Sequence, residues 1–279
     1  PRMRFTPARQ TLLINLVRRA ARAEILPRFR RMAEADIGTK SGPQDLVTEA
    51  DTAAEALIAR GLARAFPGAL VVGEETAHEI PDLPARIASA ELAFIVDPVD
   101  GTWNFARGLA TFGVILAATR FGEPVWGMIY DPVMDDWMIA DVETPTRLVR
   151  PGHPPKPVRV GPSREIAEMS GFIPLYLLPE GVRGEVAALY PGFRRAASLR
   201  CSAHEYRTLA QGYVDFCLGA NPRPWDHAAG VLLCRQAGGY AAMLDGAPYS
   251  AARHDGILLT APSADCWARL RDRFDMLAG

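Results

Sequence analysis

The sequence has almost no net charge: 31 Lys and Arg against 32 Asp and Glu leave −1 at pH 7 over 279 residues. A chain so balanced has no bulk attraction for nucleic acid or an anionic membrane, so neither is expected as a partner. Cysteine is scarce. Cys201, Cys217, Cys234 and Cys266 stand far apart with no CxxC pair, which reads as reduced, mostly buried thiols in a cytoplasmic protein. Long apolar runs are missing as well. "TLLINLV" at 11–17 is short, is followed by "RRAARAE", and precedes no small-residue cleavage site. Neither a signal peptide nor a membrane helix is expected. There is no internal repeat and no low-complexity tract.

What is present is ordinary for a globular protein, with 49% hydrophobic and 23% charged residues, and the length suits one large domain or two closely packed ones. Apolar residues at helical spacing (Leu12, Leu13, Leu16, Val17, Ala20, Ala21) predict a long amphipathic helix over 7–35, its arginines forming a solvated face. "GTKSGPQD" at 38–45 reads as a polar loop. A second helix follows, with Thr48 as its N-cap and Asp51 at its third position. "ALVVGEE" and "LAFIVDP" read as short buried strands. Between 112 and 141, three strands joined by short turns predict an antiparallel meander. The proline-rich stretch 144–163 is the best candidate for a boundary, dividing the chain into 1–148 and 149–279. Beyond it, helices are predicted at 180–189, 202–212, 225–237 and 263–277, with strands at 193–198, 214–218, 239–243 and 257–260. The class is α+β in layers.

Acidic residues recur where apolar strands run out. Glu74 and Glu75 end "ALVVG", Asp97 and Asp100 end "LAFIV", Asp226 opens the helix after "NPRPW", and Asp51 lies in the first turn of the second helix. Clustered carboxylates repel strongly at low dielectric and require a compensating charge, which a hard divalent cation such as Mg²⁺ supplies. In "FIVDPVDGTWNF", Pro98 and Val99 form a stiff turn that aims a carbonyl at the same cation, and Asp100 adds a second carboxylate. Gly101 lets the backbone approach a ligand. The free N–H groups of Gly101 and Thr102, at the start of a helical turn, suit a phosphate. Adjacent metal and phosphate sites are what hydrolysis of a phosphomonoester by in-line attack of water requires. No GxSxG, cysteine-phosphatase loop or Asp-x-Asp-x-Asp-Gly calcium loop is present. The two residues between Asp97 and Asp100, where the haloacid-dehalogenase signature has one, argue against that signature.

Four stretches, "KSGPQDLVTEAD" (40–51), "VGEE" (72–75), "IVDPVDGTWNF" (95–105) and "PWDHAAG" (224–230), resemble the inositol monophosphatase family of Mg²⁺-dependent, lithium-sensitive phosphatases, in the family's order and at comparable separations. Fructose-1,6-bisphosphatase and the 3′(2′),5′-bisphosphate nucleotidases are relatives. The resemblance implies a layered αβαβα sandwich, a homodimer, two or three Mg²⁺ ions and a small phosphorylated metabolite as substrate. It implies a first Mg²⁺ on Glu74, Asp97 and the Val99 carbonyl, a second on Asp97, Asp100 and Asp226, and phosphate on the N–H groups of Gly101 and Thr102. The Thr102 hydroxyl, paired with Asp51, would help to activate water near Glu74. Lys40 and Glu75 match the mobile loop and second acid beside the metals. Asp51 also fits a purely helix-capping role. Trp225 reads as core packing, and "AAG" at 228–230 as close helix contact.

The sequence departs from the family at the leaving-group pocket. Gly219 stands where inositol-preferring members carry an acid, and "LRCSAHEYR" at 199–207 replaces a run of small residues. Arg200, Ser202, His204, Gly219 and Arg223 are therefore the candidate substrate-pocket residues. Inositol 1-phosphate is expected to be hydrolysed without strong preference, and a substrate with an extra anionic group to serve as well or better. Bisphosphate nucleotidase, fructose-1,6-bisphosphatase and histidinol-phosphate phosphatase activities are the alternatives on the same scaffold. A non-catalytic descendant that binds RNA or a regulatory protein is the alternative of another class.

Overall fold

The computed structural model describes residues 5–31, 37–42 and 45–278. Helix α1, Pro7–Ala20, opens where Thr6 Oγ1 accepts the Arg9 N–H and Pro7 takes the first position, where its missing N–H costs nothing. The α-helix is shorter than its periodicity predicts. It passes into one π-helical turn, Ala21–Ile25, and then into hydrogen-bonded turns up to Arg31. Pro27 has no N–H to continue the ladder. The expected span over 32–35 lies outside the described residues. The arginine face is partly committed: Arg18 clasps Asp135 through Nε (2.8 Å) and Nη2 (2.7 Å), Arg22 joins the same carboxylate, and Arg28 pairs with Glu24 and Glu49.

The stretch expected as a loop over 38–45 is a ribbon instead. Strands β1, Ile37–Gly42, and β2, Asp45–Thr48, pair antiparallel with Ile37 opposite Thr48; residues 43–44 between them lie outside the described residues. Its pairing comes from the backbone, so no apolar alternation marks it in the sequence. Helix α2, Glu49–Ala65, follows with a complete capping box between Thr48 and Asp51. Strand β3, Leu70–Gly73, leads into the short helix α3, Glu74–Glu79. Strand β4, Ala93–Asp100, is buried throughout and runs into helix α4, Thr102–Ala106.

The meander is present and longer than expected. Strands β5 (Gly113–Arg120), β6 (Glu123–Asp131), β7 (Asp136–Asp141) and β8 (Thr144–Val149) pair antiparallel in sequence, and β9 (Lys156–Pro157) adds to the edge. With β3 and β4 they form a seven-stranded sheet in which only the β3–β4 pair is parallel. The remaining elements are β10 (Ser170–Phe172), α5 (Glu180–Ala188), β11 (Arg195–Ala197), α6 (Ser202–Ala210), β12 (Phe216–Gly219), α7 (Pro224–Gln236), β13 (Tyr240–Met243), β14 (Leu258–Ala261) and α8 (Ala264–Arg273). Their strands form a five-stranded mixed sheet in the order β11-β10-β12-β14-β13. Strand β10 has only three residues, too few to show a period of two, and the sequence reading misses it. The predicted helix over 263–277 ends at Arg273 and closes with a 3₁₀ turn, Asp275–Leu277.

Helices α1 and α2 cover one face of the large sheet, α6 and α7 fill the space between the two sheets, and α5 and α8 cover the outer face of the small one. This is the αβαβα sandwich that the family resemblance implies. Among the described residues no helix is long and apolar enough to cross a membrane.

The central helix pair packs very closely. A Cβ at Gly230 of α7 would lie 2.1 Å from the Tyr206 ring of α6, which explains the small residues of "AAG". Trp225 is buried in the same core. Gly230→Ala gains about 1 kcal/mol of helix propensity, but the clash forces a buried, hydrogen-bonded tyrosine to move, at about 1–3 kcal/mol. The expected outcome is net destabilisation of up to about 2 kcal/mol on the same balance, read as a lower midpoint in urea unfolding.

Candidate active site

Strand β4 carries the centre of the site, and a bulge shapes it. Asp97 lies opposite Ile115 on β5, yet Asp100 lies opposite Gly113, so β4 holds one residue more than its partner between these points. Pro98 sits in the bulge, where its lack of an N–H is tolerated. The extra residue brings Asp97 and Asp100 together. Asp97 Oδ1 accepts the Val99 N–H at 3.1 Å. Gly101 then takes φ +86°, a left-handed conformation in which a Cβ would also meet the Thr111 carbonyl at 2.9 Å. Its turn opens α4 at Thr102, as the sequence predicts.

Asp226, at the start of α7, completes a cluster: oxygens of Asp97, Asp100 and Asp226 lie within 4.8 Å of one another. Burial, followed by the charges of Glu74, Asp100 and Asp226, pushes the Asp97 carboxyl well above the usual range. Asp226 is raised for the same reasons, with Arg223 opposing. Asp100 is pushed up to about 6 by burial, an effect moderated by hydrogen bonds from the start of α6. Its Oδ2 accepts the Ala203 N–H (2.5 Å) and faces the Cys201 thiol (3.1 Å). Helix α6 thus turns its positive end toward a strand-end acid.

Asp51 does two things. Its Oδ2 accepts both the N–H (2.8 Å) and hydroxyl (2.5 Å) of Thr48, as a helix cap does. Its Oδ1 faces the Thr102 hydroxyl at 3.0 Å, whose proton is shared with the Val99 carbonyl at 2.9 Å. Fully buried, Asp51 is pushed up to about 6 despite these bonds. On the ribbon, Lys40 Nζ donates to Glu74 and Glu75 at 2.7 Å each. Burial works against its ammonium, but the two carboxylates outweigh it and hold the lysine above its usual range. Burial and Glu74 push Glu75 up to about 8.

Glu55 has a role the sequence reading misses. One turn after Asp51 on α2, it is buried and accepts the N–H groups of Glu75 (2.7 Å) and Thr76 (2.9 Å) and the Thr76 hydroxyl (2.5 Å). It caps α3, the helix that presents Glu74 and Glu75, and it fills the space beside Gly73. The signal available was an acid four residues after Asp51 on an otherwise apolar helix face.

The candidate substrate-pocket residues divide. Arg200, Ser202 and Gly219 line a pocket with Asp100 and Asp226. His204 instead meets the Phe112 carbonyl at 3.0 Å, with Asp131 at 3.8 Å, and Arg223 is exposed with its guanidinium 6.0 Å from the Trp225 ring. Arg207, in the same unusual stretch, is buried against Asp136 and the Ile129 carbonyl. Gly219 is required by a neighbour: a Cβ there would lie 2.8 Å from His227 Cε1. His227, held by the Tyr206 hydroxyl (2.9 Å) and the Asn221 carbonyl (3.0 Å), takes the space of a side chain at 219. Burial depresses its pKa to about 4, so the imidazole is neutral.

Arg200 has φ +54°, a conformation costing a non-glycine residue roughly 1–2 kcal/mol. The loop is braced against that cost. Glu205 accepts the Leu199 N–H (2.7 Å), Ser198 Oγ accepts the Arg200 N–H (3.1 Å), and Asn104 donates to the Leu199 carbonyl (2.8 Å). The guanidinium lies between two rings, 4.3 Å from the centroid of Trp103 and 4.6 Å from that of Tyr176.

The family model "Inositol monophosphatase family" matches residues 9–271. The chain is 30% identical over 233 residues to an inositol-1-monophosphatase of Bacillus subtilis, covering 81% of this chain and 83% of that one. It is 29% identical over 267 residues to the Nus factor SuhB of Haemophilus influenzae, covering 90% and 91%. The fold superposes on an inositol monophosphatase of Thermotoga maritima with a TM-score of 0.77 over 98% of this chain and 100% of that one, at 22% identity. By its motifs, its layers and these matches, the chain belongs to the inositol monophosphatase family, a group of phosphatases.

Proposed function

We propose that the protein is a Mg²⁺-dependent phosphomonoesterase acting on a small phosphorylated metabolite. The observation that carries this reading is the cluster of buried Asp97 and Asp100 with half-buried Asp226, beside the Gly101–Thr102 turn. The donors fit the ion: they are hard carboxylate oxygens, two buried and one half-buried, of the kind Mg²⁺ takes alongside water and phosphate. Glu74, Asp97 and the Val99 carbonyl would hold a first Mg²⁺, and Asp97, Asp100 and Asp226 a second. Bound there, Mg²⁺ supplies positive charge to the phosphoryl oxygens and acidifies water.

The chain's own residues do the rest. The N–H groups of Gly101 and Thr102 take the phosphate. The Thr102 hydroxyl, oriented by Asp51, holds and aligns the attacking water. Asp51 is well suited to accept its proton, since burial brings its pKa to about 6, closer to neutral than a free carboxylate. Lys40 balances Glu74 and Glu75, and Glu55 ties the start of α3 to α2. We place the division of the chain at 148/149: the first part supplies most ligands and the second completes the set with Asp226. The relatives named inositol-1-monophosphatase make inositol 1-phosphate the first substrate to try. A cytoplasmic homodimer belongs to the same reading, supported by the family and by four free, buried cysteines. A purely binding role gives no chemical reason to keep Asp51, Glu74, Asp97, Asp100, Thr102 and Asp226 together.

Mg²⁺-dependent phosphate release from a small phosphomonoester panel tests the reading. Asp97→Asn keeps the shape of the shared ligand and removes its charge. The expected loss in kcat is at least about 10³-fold, or roughly 4 kcal/mol of barrier; near-wild-type activity at saturating Mg²⁺ would refute the two-site assignment. Millimolar Li⁺, but not Na⁺, is expected to inhibit.

Thr102→Ala should lower kcat far more than it raises KM, because water alignment matters most in the transition state. Asp51→Asn should behave alike. Because both act on one water, the double variant should lose less than the product of the single losses. Steady-state kinetics of the four proteins checks this, and fully independent losses would reduce Asp51 to a helix cap.

A further inference from the structure

On the leaving-group side, position 219 offers no side chain, and His227 fills the space beside it. The cations that the sequence places in this region are engaged in other ways. Arg207 is bound to Asp136, Arg223 is exposed beside Trp225, and Arg200 is held between the rings of Trp103 and Tyr176. The pocket does hold an acid that the sequence reading left without a role. Glu205, in the first turn of α6, lines it together with Asp100, Tyr176, Gly219 and Asp226.

Glu205 is 8% exposed, and its two oxygens differ. Oε1 accepts the Leu199 N–H at 2.7 Å and the Ser198 hydroxyl at 3.3 Å. The next N–H of that loop, from Arg200, goes to Ser198 Oγ. Among the described residues no hydrogen bond reaches Oε2, and Oε2 is not one of the polar atoms that packing seals off without a partner. Burial pushes the carboxyl up to about 8, against the Leu199 bond and with the charge of Asp100. What this side chain lacks is a donor for its second oxygen. With Asp100 and Asp226 assigned to metal, Glu205 is the acid of the pocket that remains to meet the leaving group. A buried acceptor favours a partner that brings a donor, because an apolar partner strips its water and returns nothing. A further negative charge on the leaving group would be repelled by it.

We infer that Glu205 is a specificity-determining residue whose Oε2 accepts a hydrogen bond from a donor on the leaving group, a hydroxyl or an ammonium, in place of the side chain absent at 219. The acid that reads the leaving group then comes from α6 rather than β12, on the same helix turn whose Ala203 N–H holds Asp100. This deepens the phosphomonoesterase reading and rests on it.

Three compounds on one carbon chain isolate the donor: propyl phosphate has none, glycerol 3-phosphate has hydroxyls and 3-aminopropyl phosphate has an ammonium. Wild type is expected to prefer at least one donor-bearing compound over propyl phosphate by about tenfold or more in kcat/KM, the scale of a hydrogen bond to a charged group. The compound preferred identifies the donor. Glu205→Gln keeps an oxygen for the Leu199 N–H and puts an amide NH₂, itself a donor, where Oε2 was. It should bring the preferred compound to within about threefold of propyl phosphate. Glu205→Asp, which keeps the charge but withdraws it, should retain only part of the preference, and it serves if the glutamine variant does not fold. No wild-type preference for either donor, or variant losses that leave the ratio between the compounds unchanged, would overturn the assignment and reduce Glu205 to a brace for its loop. Calorimetric binding of the same compounds separates the two claims. A Glu205-dependent preference in binding without turnover overturns the phosphatase reading alone. Turnover with no donor preference in either binding or kcat/KM overturns the assignment of Glu205 alone.

Discussion

Asp97 and Asp100, buried at the end of β4, face half-buried Asp226 at the start of α7, and three like charges so placed repel one another. Two unit charges within 4.8 Å repel by roughly 3–4 kcal/mol at an effective dielectric of about 20, and Asp97 and Asp100, both buried, are packed that closely with half-buried Asp226. Each acid receives partial relief. The Val99 N–H serves Asp97, the first turn of α6 serves Asp100, and Lys40 serves Glu74 and Glu75. None of these supplies a full positive charge inside the triad, where burial first, and neighbouring carboxylates second, raise the pKa values of its members. A divalent cation supplies that charge. In this account the affinity for Mg²⁺ is stored in the fold as electrostatic strain.

The layers exist to hold that strain. The bulge at Pro98 is possible because β4 lies inside a sheet extended by a four-strand meander, which fixes the strand on both sides of the irregularity. Helices α6 and α7 lie between the sheets, so their first turns reach the end of β4 from the opposite side and deliver the Ala203 N–H and Asp226. Their close approach, set by Gly230 against Tyr206, also positions His227 and thereby shapes the pocket. Packing, metal site and leaving-group pocket share the same helix pair.

The fold and most of the acid cluster were legible in the sequence because local chemistry marks them. A Thr-x-x-Asp cap, a Gly-Thr turn after an apolar strand and acids at strand ends each have a short-range cause. The ribbon over 37–48 was not legible, since its pairing uses backbone groups and leaves no alternation. The early end of α1 was marked only by Pro27, which apolar periodicity outweighed. Glu55 escaped because its partners are backbone N–H groups 20 and 21 residues away. His204 and Arg207 could not be separated from Arg200 by composition. Only the tertiary structure shows that Asp136 and the Phe112 carbonyl claim the first two and that aromatic rings frame the third.

Thermal unfolding at pH 8, with and without millimolar Mg²⁺ and at matched ionic strength in NaCl, tests the central claim most directly. If the cluster stores its repulsion for a cation, Mg²⁺ at about 100 times its dissociation constant should add roughly 2.7 kcal/mol, raising Tm by roughly 5 °C for a chain of this size. Asp97→Asn should start from a higher Tm in chelator, because one charge is gone, and should gain little from Mg²⁺. A wild-type Tm indifferent to Mg²⁺, or raised equally by NaCl, would contradict the account.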